Sequence, residues 1–255
     1  MRIDEIIEFY FNQDELSGVY TKAGLQESED RKEVIKNNLS KPPLDILELG
    51  AGGGQRAFST AQIGYNVTAL ELVPKLAENC KMLSSKLING SLHVLQGDFY
   101  KIDLPQKFDA VVYWDGFGVG SDMEQKELLK RIKNWLKPGG SALIDIYTPW
   151  HAIRQIGVEM TFGKAKRRYD LDAENCRLID TWWHLDQPQK KYSQSLRCYS
   201  PADFRMLLEG TDLKIAKIIY GGGFENDSAK YLEVAPSMDK AIWYTVRIVH
   251  DDKNI

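Results

Sequence analysis

The stretch DILELGAGGGQRAFSTAQIGYNVTALELVP, residues 45–74, decides the fold class of this 255-residue chain. An apolar run leads into four glycines between positions 50 and 54, and a second apolar run leads to Glu71. Short, almost continuously apolar runs are typical of parallel strands that helices cover on both faces. Glycine directly after such a strand lets the backbone approach a ligand closely. The stretch therefore predicts a strand, a glycine-rich ligand loop, a helix and a second strand.

The same alternation continues along the chain. Further strands are predicted at SLHVLQG (91–97), FDAVVYW (108–114), SALIDIY (141–147), LKIAKIIYG (213–221) and AIWYTVRIV (241–249). Helices are predicted from Gly54 to Ile63, from Pro74 to about Leu87 and after the capping box that Ser121 forms with Glu124. Strand and helix in alternation predict an α/β fold with a doubly wound, mostly parallel sheet.

Two segments interrupt this rhythm. Residues 3–11 and 29–39 have helical patterns before Lys41-Pro42-Pro43, so residues 1–43 are predicted to form an N-terminal helical cap. The segment 148–199 is too long for an ordinary connection between a strand and the next helix. Within this segment, CRLIDTWWHLD and KYSQSLRCY are predicted to pair as a hairpin. We interpret the segment 148–199 as a lid that is inserted into a single domain, and this domain comprises residues 1–255.

Composition narrows the class of protein. A net charge of −3 and a pI near 5.9 give no reason to expect nucleic acid or a membrane as partner. The acidic N-terminus does not resemble a signal peptide. Cys80, Cys176 and Cys198 are widely spaced, which predicts free thiols, no disulfide framework and no metal site. The sequence is that of a cytoplasmic protein, and its oligomeric state stays open.

The glycine loop departs from two familiar nucleotide-binding patterns. A dinucleotide fingerprint needs glycine at position 55, which is Gln55, and Gln55-Arg56-Ala57 lacks the Gly-Lys-Ser/Thr of a phosphate loop. Glu71 ends the second predicted strand, where a carboxylate can accept both hydroxyls of a ribose. Asp98 and Asp115 follow the next two strands at the same sheet edge. A ribose-containing ligand is therefore expected, whereas pyrophosphate is not favoured.

These motifs resemble those of the class I S-adenosylmethionine-dependent methyltransferases. ELGAGGG is similar to the first motif of that family, LEL to its acidic second-strand end, GDF to its adenine-contacting motif and LKPGGSALID to its strand-five signature. The resemblance covers residues 45–147. It implies a seven-stranded sheet with a reversed last hairpin and S-adenosylmethionine as the methyl donor.

The resemblance also implies roles for individual residues. Glycine-loop residues and Glu48 would contact the methionine part, Glu71 the ribose and Asp98 the adenine amino group. Tyr20 would close over the cofactor, as would Tyr10, unless these rings belong to the core. The complete predicted cofactor set is Tyr20, Glu48, Gly50, Ala51, Gly52, Glu71, Leu72, Asp98, Phe99, Asp115 and Gly116.

The methyl acceptor is expected to be a small molecule, with N, O and C all open as the methylated atom. Asp115-Gly116-Phe117-Gly118 stands where relatives that methylate planar amino groups carry Asn/Asp-Pro-Pro-Tyr/Phe. Tyr147, His151 and His184 are candidate catalytic residues, and Phe117, His151 and Trp183 are candidate substrate contacts. Trp182 and Trp183 should face opposite sides of their strand. His93 is expected in the core, and His250 at the surface.

Two other functions stay open at this point. The basic run Lys164-Ala165-Lys166-Arg167-Arg168 would suit an RNA or protein methyltransferase, although a solvated face of the lid is favoured. A catalytically silent protein that binds S-adenosylmethionine would keep the same motifs.

Overall fold

The computed structural model describes residues 3–22, 29–225 and 230–251. In chain order its helices and strands are α1 (Ile3–Ser17), α2 (Glu29–Asn38), β1 (Asp45–Leu49), α3 (Gln55–Gln62), β2 (Asn66–Glu71), α4 (Pro74–Ser84), β3 (Ser91–Gln96), β4 (Phe108–Tyr113), α5 (Asp122–Trp135), β5 (Leu136–Tyr147), α6 (Pro149–Arg154), β6 (Glu159–Phe162), β7 (Ala165–Asp172), β8 (Arg177–His184), β9 (Lys191–Arg197), α7 (Pro201–Leu208), β10 (Leu213–Tyr220), β11 (Gly223–Phe224), β12 (Tyr231–Leu232) and β13 (Trp243–His250).

A seven-stranded sheet with the order β10-β13-β5-β4-β1-β2-β3 forms the centre of the molecule. The first five strands pair in parallel, and β13 runs antiparallel between β5 and β10. The predicted seven-stranded sheet and its reversed last hairpin are therefore confirmed. Because β1 has β2 on one side and β4 on the other, the strand order reverses at β1, where open α/β sheets bind ligands.

Local sequence signals explain where the helices begin. The Ser121 side chain accepts a hydrogen bond from the backbone of Glu124, whose side chain accepts from the Ser121 backbone, so the predicted capping box is present. Pro74 opens α4 at its first turn, where a missing N–H costs nothing. Gly64 follows α3 with a φ of +100°, which places it in the left-handed region expected just after a helix.

The predicted boundaries differ from the structure at several elements. α1 continues to Ser17, beyond the predicted end at residue 11. β5 begins at Leu136 rather than at residue 141, because Leu136 pairs with Phe108 before the register shifts. His93 was expected in the core but is exposed, since β3 is the edge strand of the sheet. His250 is half-buried, with a ring nitrogen 3.2 Å from the Lys133 carbonyl oxygen.

The inserted segment is larger in structure than its predicted hairpin. β8 and β9 pair as predicted, but β6 and β7 extend them into a four-stranded antiparallel sheet, which we call the lid sheet (β6–β9). The short helix α6, which was not predicted, connects β5 to the lid sheet. The lid sheet also meets the loop after β4, where Arg177 donates to the carbonyl oxygens of Gly118 and Gly120.

The N-terminal region contains the two predicted helices, α1 and α2, and α1 packs on the lid sheet through Phe9, Ala165 and Trp182. Residues 1–2 and 23–28 of the predicted cap lie outside the described residues. None of the helices in the described ranges is long and apolar enough to cross a membrane. Those ranges also contain no group of three or more His, Cys, Asp or Glu residues arranged to hold a metal ion.

Candidate functional site

A cavity of about 1230 Å³ opens at the carboxyl edge of the central sheet, between the strand ends, α1 and the lid sheet. All eleven residues of the predicted cofactor set line it, as does Tyr147. Its volume exceeds the range of about 300–1,000 Å³ that is usual for one small ligand. The cavity is therefore large enough for two molecules side by side.

We distinguish two halves of this cavity. The strand-end half is lined by residues at the carboxyl ends of β1, β2 and β3 or just after them, namely Glu48, Gly50, Ala51, Gly52, Glu71, Leu72, Asp98 and Phe99. The lid half is lined by Tyr147 and by the lid-sheet residues Phe162, Arg167, Tyr169, Leu178, Asp180, Trp182, Gln194 and Leu196. Asp115 and Gly116, after β4, lie between the two sets in the strand order.

The glycine loop after β1 needs glycine for two separate reasons. Gly50 and Gly52 have φ values of +58° and +55°, a region that side chains with a Cβ rarely adopt. A Cβ on Gly53 would overlap the backbone carbonyl oxygen of Tyr20, which also accepts from the side chain of Gln55. The loop is thus pressed against the N-terminal region on one side while its other side faces the cavity.

Glu71 is fixed by the backbone of the loops on either side of it. Its carboxylate accepts hydrogen bonds from the backbone N–H groups of Gly52 and Val73, each at 2.7 Å. Burial raises its pKa to about 7, although these N–H groups favour the charged form. Since each oxygen accepts one hydrogen bond and has a further lone pair, the carboxylate can still accept from a ligand.

Glu48 is the second buried carboxyl group of the strand-end half. It is only 2% exposed, and its Oε2 atom has no hydrogen-bond partner in the described chain. Burial raises its pKa to about 8, and the neighbouring Glu71 adds to this effect. The charge of Arg56 acts against this rise but does not cancel it. A buried carboxyl oxygen without a hydrogen bond costs stability, so its place at the cavity wall suits a cationic ligand group.

Asp98 closes the strand-end half after β3. Its Oδ1 atom accepts from the backbone N–H of Tyr100 at 2.8 Å, and Lys101 approaches Oδ2 at 3.9 Å. Phe99 packs edge-on against Tyr113 with ring centroids 5.4 Å apart. The result is an aromatic wall beside a carboxylate, which can hold a planar base with an amino group.

Asp115 belongs to a group of paired charged side chains near the carboxyl ends of β4 and β5. It has a φ of +58°, and its Oδ2 atom lies 2.6 Å from Arg56, while Arg31 pairs with the buried Asp145 at 2.6 Å. Burial acts to raise the pKa of Asp115, but the charges of Arg56 and Arg31 outweigh it and hold the pKa below 3.8. Burial raises the pKa of Asp145 to about 6. Sequence reasoning missed both arginines because neither belongs to a recognised motif.

The N-terminal region covers the glycine loop. The ring of Tyr20 lies over Gly52, and its hydroxyl donates to Gln13 at 2.9 Å. The buried carboxylate of Asp14 accepts from the backbone N–H groups of Tyr20 and Thr21, each at 3.0 Å. Tyr10 and Tyr20 both line the cavity. A single buried aspartate therefore holds the turn that covers the loop.

The lid half is organised around Arg167. Two of its nitrogens donate to the two oxygens of Asp180, each at 2.8 Å, and Asp180 is 2% exposed. The guanidinium group also lies over the rings of Tyr169 and Trp182, with its central carbon 4.3 and 5.0 Å from the ring centroids. The basic run 164–168 was expected to form a solvated face, and Lys164 and Arg168 are indeed exposed. Arg167 lines the cavity instead, because side chains alternate between the two faces of β7.

Four candidate residues do not reach the cavity. Phe117 is part of the core, next to Tyr199 and Phe204. His151 is buried in α6, where burial lowers its pKa to about 4. His184 lies at the end of β8.

The fourth candidate, Trp183, lies on the face of β8 opposite to Trp182, with Lys191 4.9 Å above its ring. The two tryptophans alternate as expected, but Trp182 is the one that lines the cavity. Periodicity predicts alternation and cannot say which face is inward, and this is why the wrong tryptophan was chosen.

Comparison with known proteins indicates which kind of domain forms this cavity. Residues 46–140 match the family model described as a methyltransferase domain. The chain contains a methyltransferase domain. The match covers the glycine loop, Glu71, Asp98 and Asp115, so the methyltransferase domain includes the whole strand-end half of the cavity.

One curated relative is the cypemycin N-terminal methyltransferase of a Streptomyces species, 34% identical over 116 residues, which are 43% of this chain and 46% of that protein. The chain spans about half of the length of the curated relatives that it matches.

Two solved structures share the fold of the methyltransferase domain and its additions. The CcbJ methyltransferase of Streptomyces caelestis has a TM-score of 0.76 at 17% identity, covering 95% of this chain and 98% of that chain. An S-adenosylmethionine-dependent methyltransferase of Clostridium acetobutylicum has a TM-score of 0.66 at 17% identity, covering 94% of this chain and 97% of that chain. The Rossmann-like methyltransferase fold therefore extends over nearly the whole chain.

Proposed function

We propose that this protein transfers a methyl group from S-adenosylmethionine, bound in the strand-end half, to a small molecule bound under the lid sheet. The observation that carries the proposal is the convergence of four strand ends on one cavity that holds all residues of the predicted cofactor set. The methyltransferase-domain match over residues 46–140 supports the same donor.

The residues present fit this donor. The unpartnered Oε2 of Glu48 suits an ammonium group, and the positive φ values of Gly50 and Gly52 let the loop backbone itself form part of the cavity wall. Glu71 would accept from the ribose hydroxyls, with Asp98 at the adenine amino group and Tyr20 as a cover. When bound, the donor supplies a methyl group on a positively charged sulfur.

The protein's own contribution is positioning and the exclusion of water. Alignment of two bound molecules supplies much of the rate of a displacement reaction, and a closed site favours a reaction that neutralises charge. Tyr10, Tyr20 and the lid sheet close the cavity on the side away from the strands. No histidine lines the cavity in the described part of the chain, so we infer that Tyr147 orients the acceptor and that His151 and His184 act only structurally.

Titration calorimetry tests the donor. We expect S-adenosylmethionine and S-adenosylhomocysteine to bind the purified protein and NAD to show no comparable binding. Incubation with S-adenosylmethionine and a metabolite pool should then yield S-adenosylhomocysteine together with a product heavier by one methylene group. Donor binding without any product would instead indicate a silent binding protein, and failure to bind the donor would refute the proposal altogether.

A further inference from the structure

The guanidinium group of Arg167 is held rigidly with one edge free. Asp180 occupies its Nε and Nη2 atoms, and the rings of Tyr169 and Trp182 fix its plane. Nη1 has no hydrogen-bond partner in the described chain, although Arg167 lines the cavity. A planar guanidinium that is already ordered loses little entropy when it binds a further oxygen.

Two tyrosine hydroxyl groups belong to the same half of the cavity as Arg167. Tyr147, at the end of β5, and Tyr169, on β7, both line the cavity, and no described residue hydrogen-bonds to either hydroxyl. Burial raises the pKa of both hydroxyls, so they remain protonated donors at neutral pH. The lid half thus presents donors that the protein itself does not use.

The carboxylates near the lid half are, in contrast, already paired. Three ion pairs lie there, Arg31 with Asp145, Arg56 with Asp115 and Arg167 with Asp180. Their three positive and three negative charges cancel, so the protein contributes no net charge to this region. A cation that entered the lid half would therefore meet only carboxylates that an arginine already pairs.

We propose that the acceptor is a small organic acid whose carboxylate, or other anionic oxygen group, binds Arg167 Nη1 with the hydroxyls of Tyr147 and Tyr169. This inference rests on the proposed function for the acceptor being methylated, and it leaves the methylated atom open. An anion satisfies the spare donors, whereas an ammonium group would find every nearby carboxylate already paired. The rings of Tyr169 and Trp182 would cover the body of the acid.

The test uses matched probes of one shape and different charge. Binding of benzoate and phenylacetate, of their carboxamides, and of benzylamine and 2-phenylethylamine is measured by ligand-observed NMR, with and without S-adenosylhomocysteine. We expect the carboxylates to bind at least tenfold more tightly than the carboxamides and amines. Equal binding of acids and carboxamides, or a preference for the amines, would overturn the inference.

Variants connect the preference to Arg167. Arg167→Met combined with Asp180→Asn removes both charges of the buried pair, which avoids leaving Asp180 unpaired, and should abolish the preference for carboxylates. Arg168→Met is the matched control, since Arg168 is exposed on the other face of β7 and pairs with Asp170. A preference for carboxylates that survives in the double variant would also overturn the inference.

The binding of S-adenosylhomocysteine, measured in the same samples, separates the two proposals. If it binds and the acids show no preference, the acceptor class is wrong and the methyl donor stands. If the acids bind through Arg167 but S-adenosylhomocysteine does not bind, the anion site stands and the proposed function fails.

Discussion

The carboxyl groups in the two halves of the cavity have opposite electrostatic surroundings. In the strand-end half, burial raises the pKa values of Glu48 and Glu71 to about 8 and about 7, and at Glu48 it outweighs the opposing charge of Arg56. Near the lid half, Asp115 and Asp180 are each paired with an arginine, and the pKa of Asp115 lies below its ordinary value. The strand-end half is therefore built to receive positive charge, whereas the lid half has its charges already matched.

The largest effect is expected from Glu48→Gln, measured as stability of the free protein. The folded-state pKa of Glu48 is about 8, against 4.5 for the ordinary group, so the unfolded chain releases this proton first as pH rises. Stability is therefore lost between pH 4.5 and 8, by up to about 5 kcal/mol at about 1.4 kcal/mol per pKa unit. Glu48→Gln should remove this loss and raise Tm at pH 8 by about 10–20 °C, with little change at pH 5.

Thermal unfolding of Glu78→Gln is the matched control, because Glu78 is exposed on α4. Its Tm should follow wild type at both pH values. A Glu48→Gln protein that is less stable than wild type at pH 8 would show that Glu48 has a stabilising partner, and the contrast between the two halves would then be lost.

Sequence reasoning brought the predicted residues of the strand-end half to one cavity because each of them lies near the end of a strand. The glycine loop, Glu71, Asp98 and Asp115 each lie at the end of a strand or within two residues of it, and parallel strands bring their carboxyl ends to one edge. Apolar runs in the sequence likewise predict the buried strands. One example is β1, which is buried at four of its five positions. A residue's position along the chain was enough to place it in the cavity.

The lid half depends on contacts between distant segments, and so it was not predictable in the same way. Arg167 and Asp180 are 13 residues apart and meet only because β7 pairs with β8, with Arg167 opposite Trp182. The alternation of side chains along β7 could not be recognised in the basic run 164–168. Charged residues lie on both faces of the strand there, so apolar and polar residues do not alternate in the sequence. The four candidates that miss the cavity were chosen from closeness in sequence, which does not fix the direction of a side chain.

The next effect concerns the strand-end half alone. Glu71→Ala should weaken the binding of S-adenosylmethionine by about 1–3 kcal/mol, which is roughly 5- to 150-fold, through loss of charge-assisted hydrogen bonds to the ribose. It also leaves the N–H groups of Gly52 and Val73 without their acceptor, so the loop loses its support. Calorimetry on the folded variant measures the change, while carboxylate binding in the lid half should stay within twofold of wild type. Unchanged donor affinity would remove Glu71 from the ribose site.

The smallest effect tests which tryptophan serves the lid half. Trp182 lines the cavity and Trp183 does not, although both are buried, so a pair of conservative variants separates an effect on the site from an effect on packing. Trp182→Phe keeps an aromatic ring but reduces the surface that Arg167 and a ligand can cover, and we expect the affinity for phenylacetate to fall about fivefold. Trp183→Phe loses similar volume on the opposite face of β8, and its affinity should stay within twofold of wild type. Both variants should bind S-adenosylhomocysteine as wild type does, because neither side chain belongs to the strand-end half. If Trp183→Phe had the larger effect on phenylacetate, the cavity face of β8 would be assigned wrongly, and with it the inward direction of Arg167 on β7, since the two strands share one register.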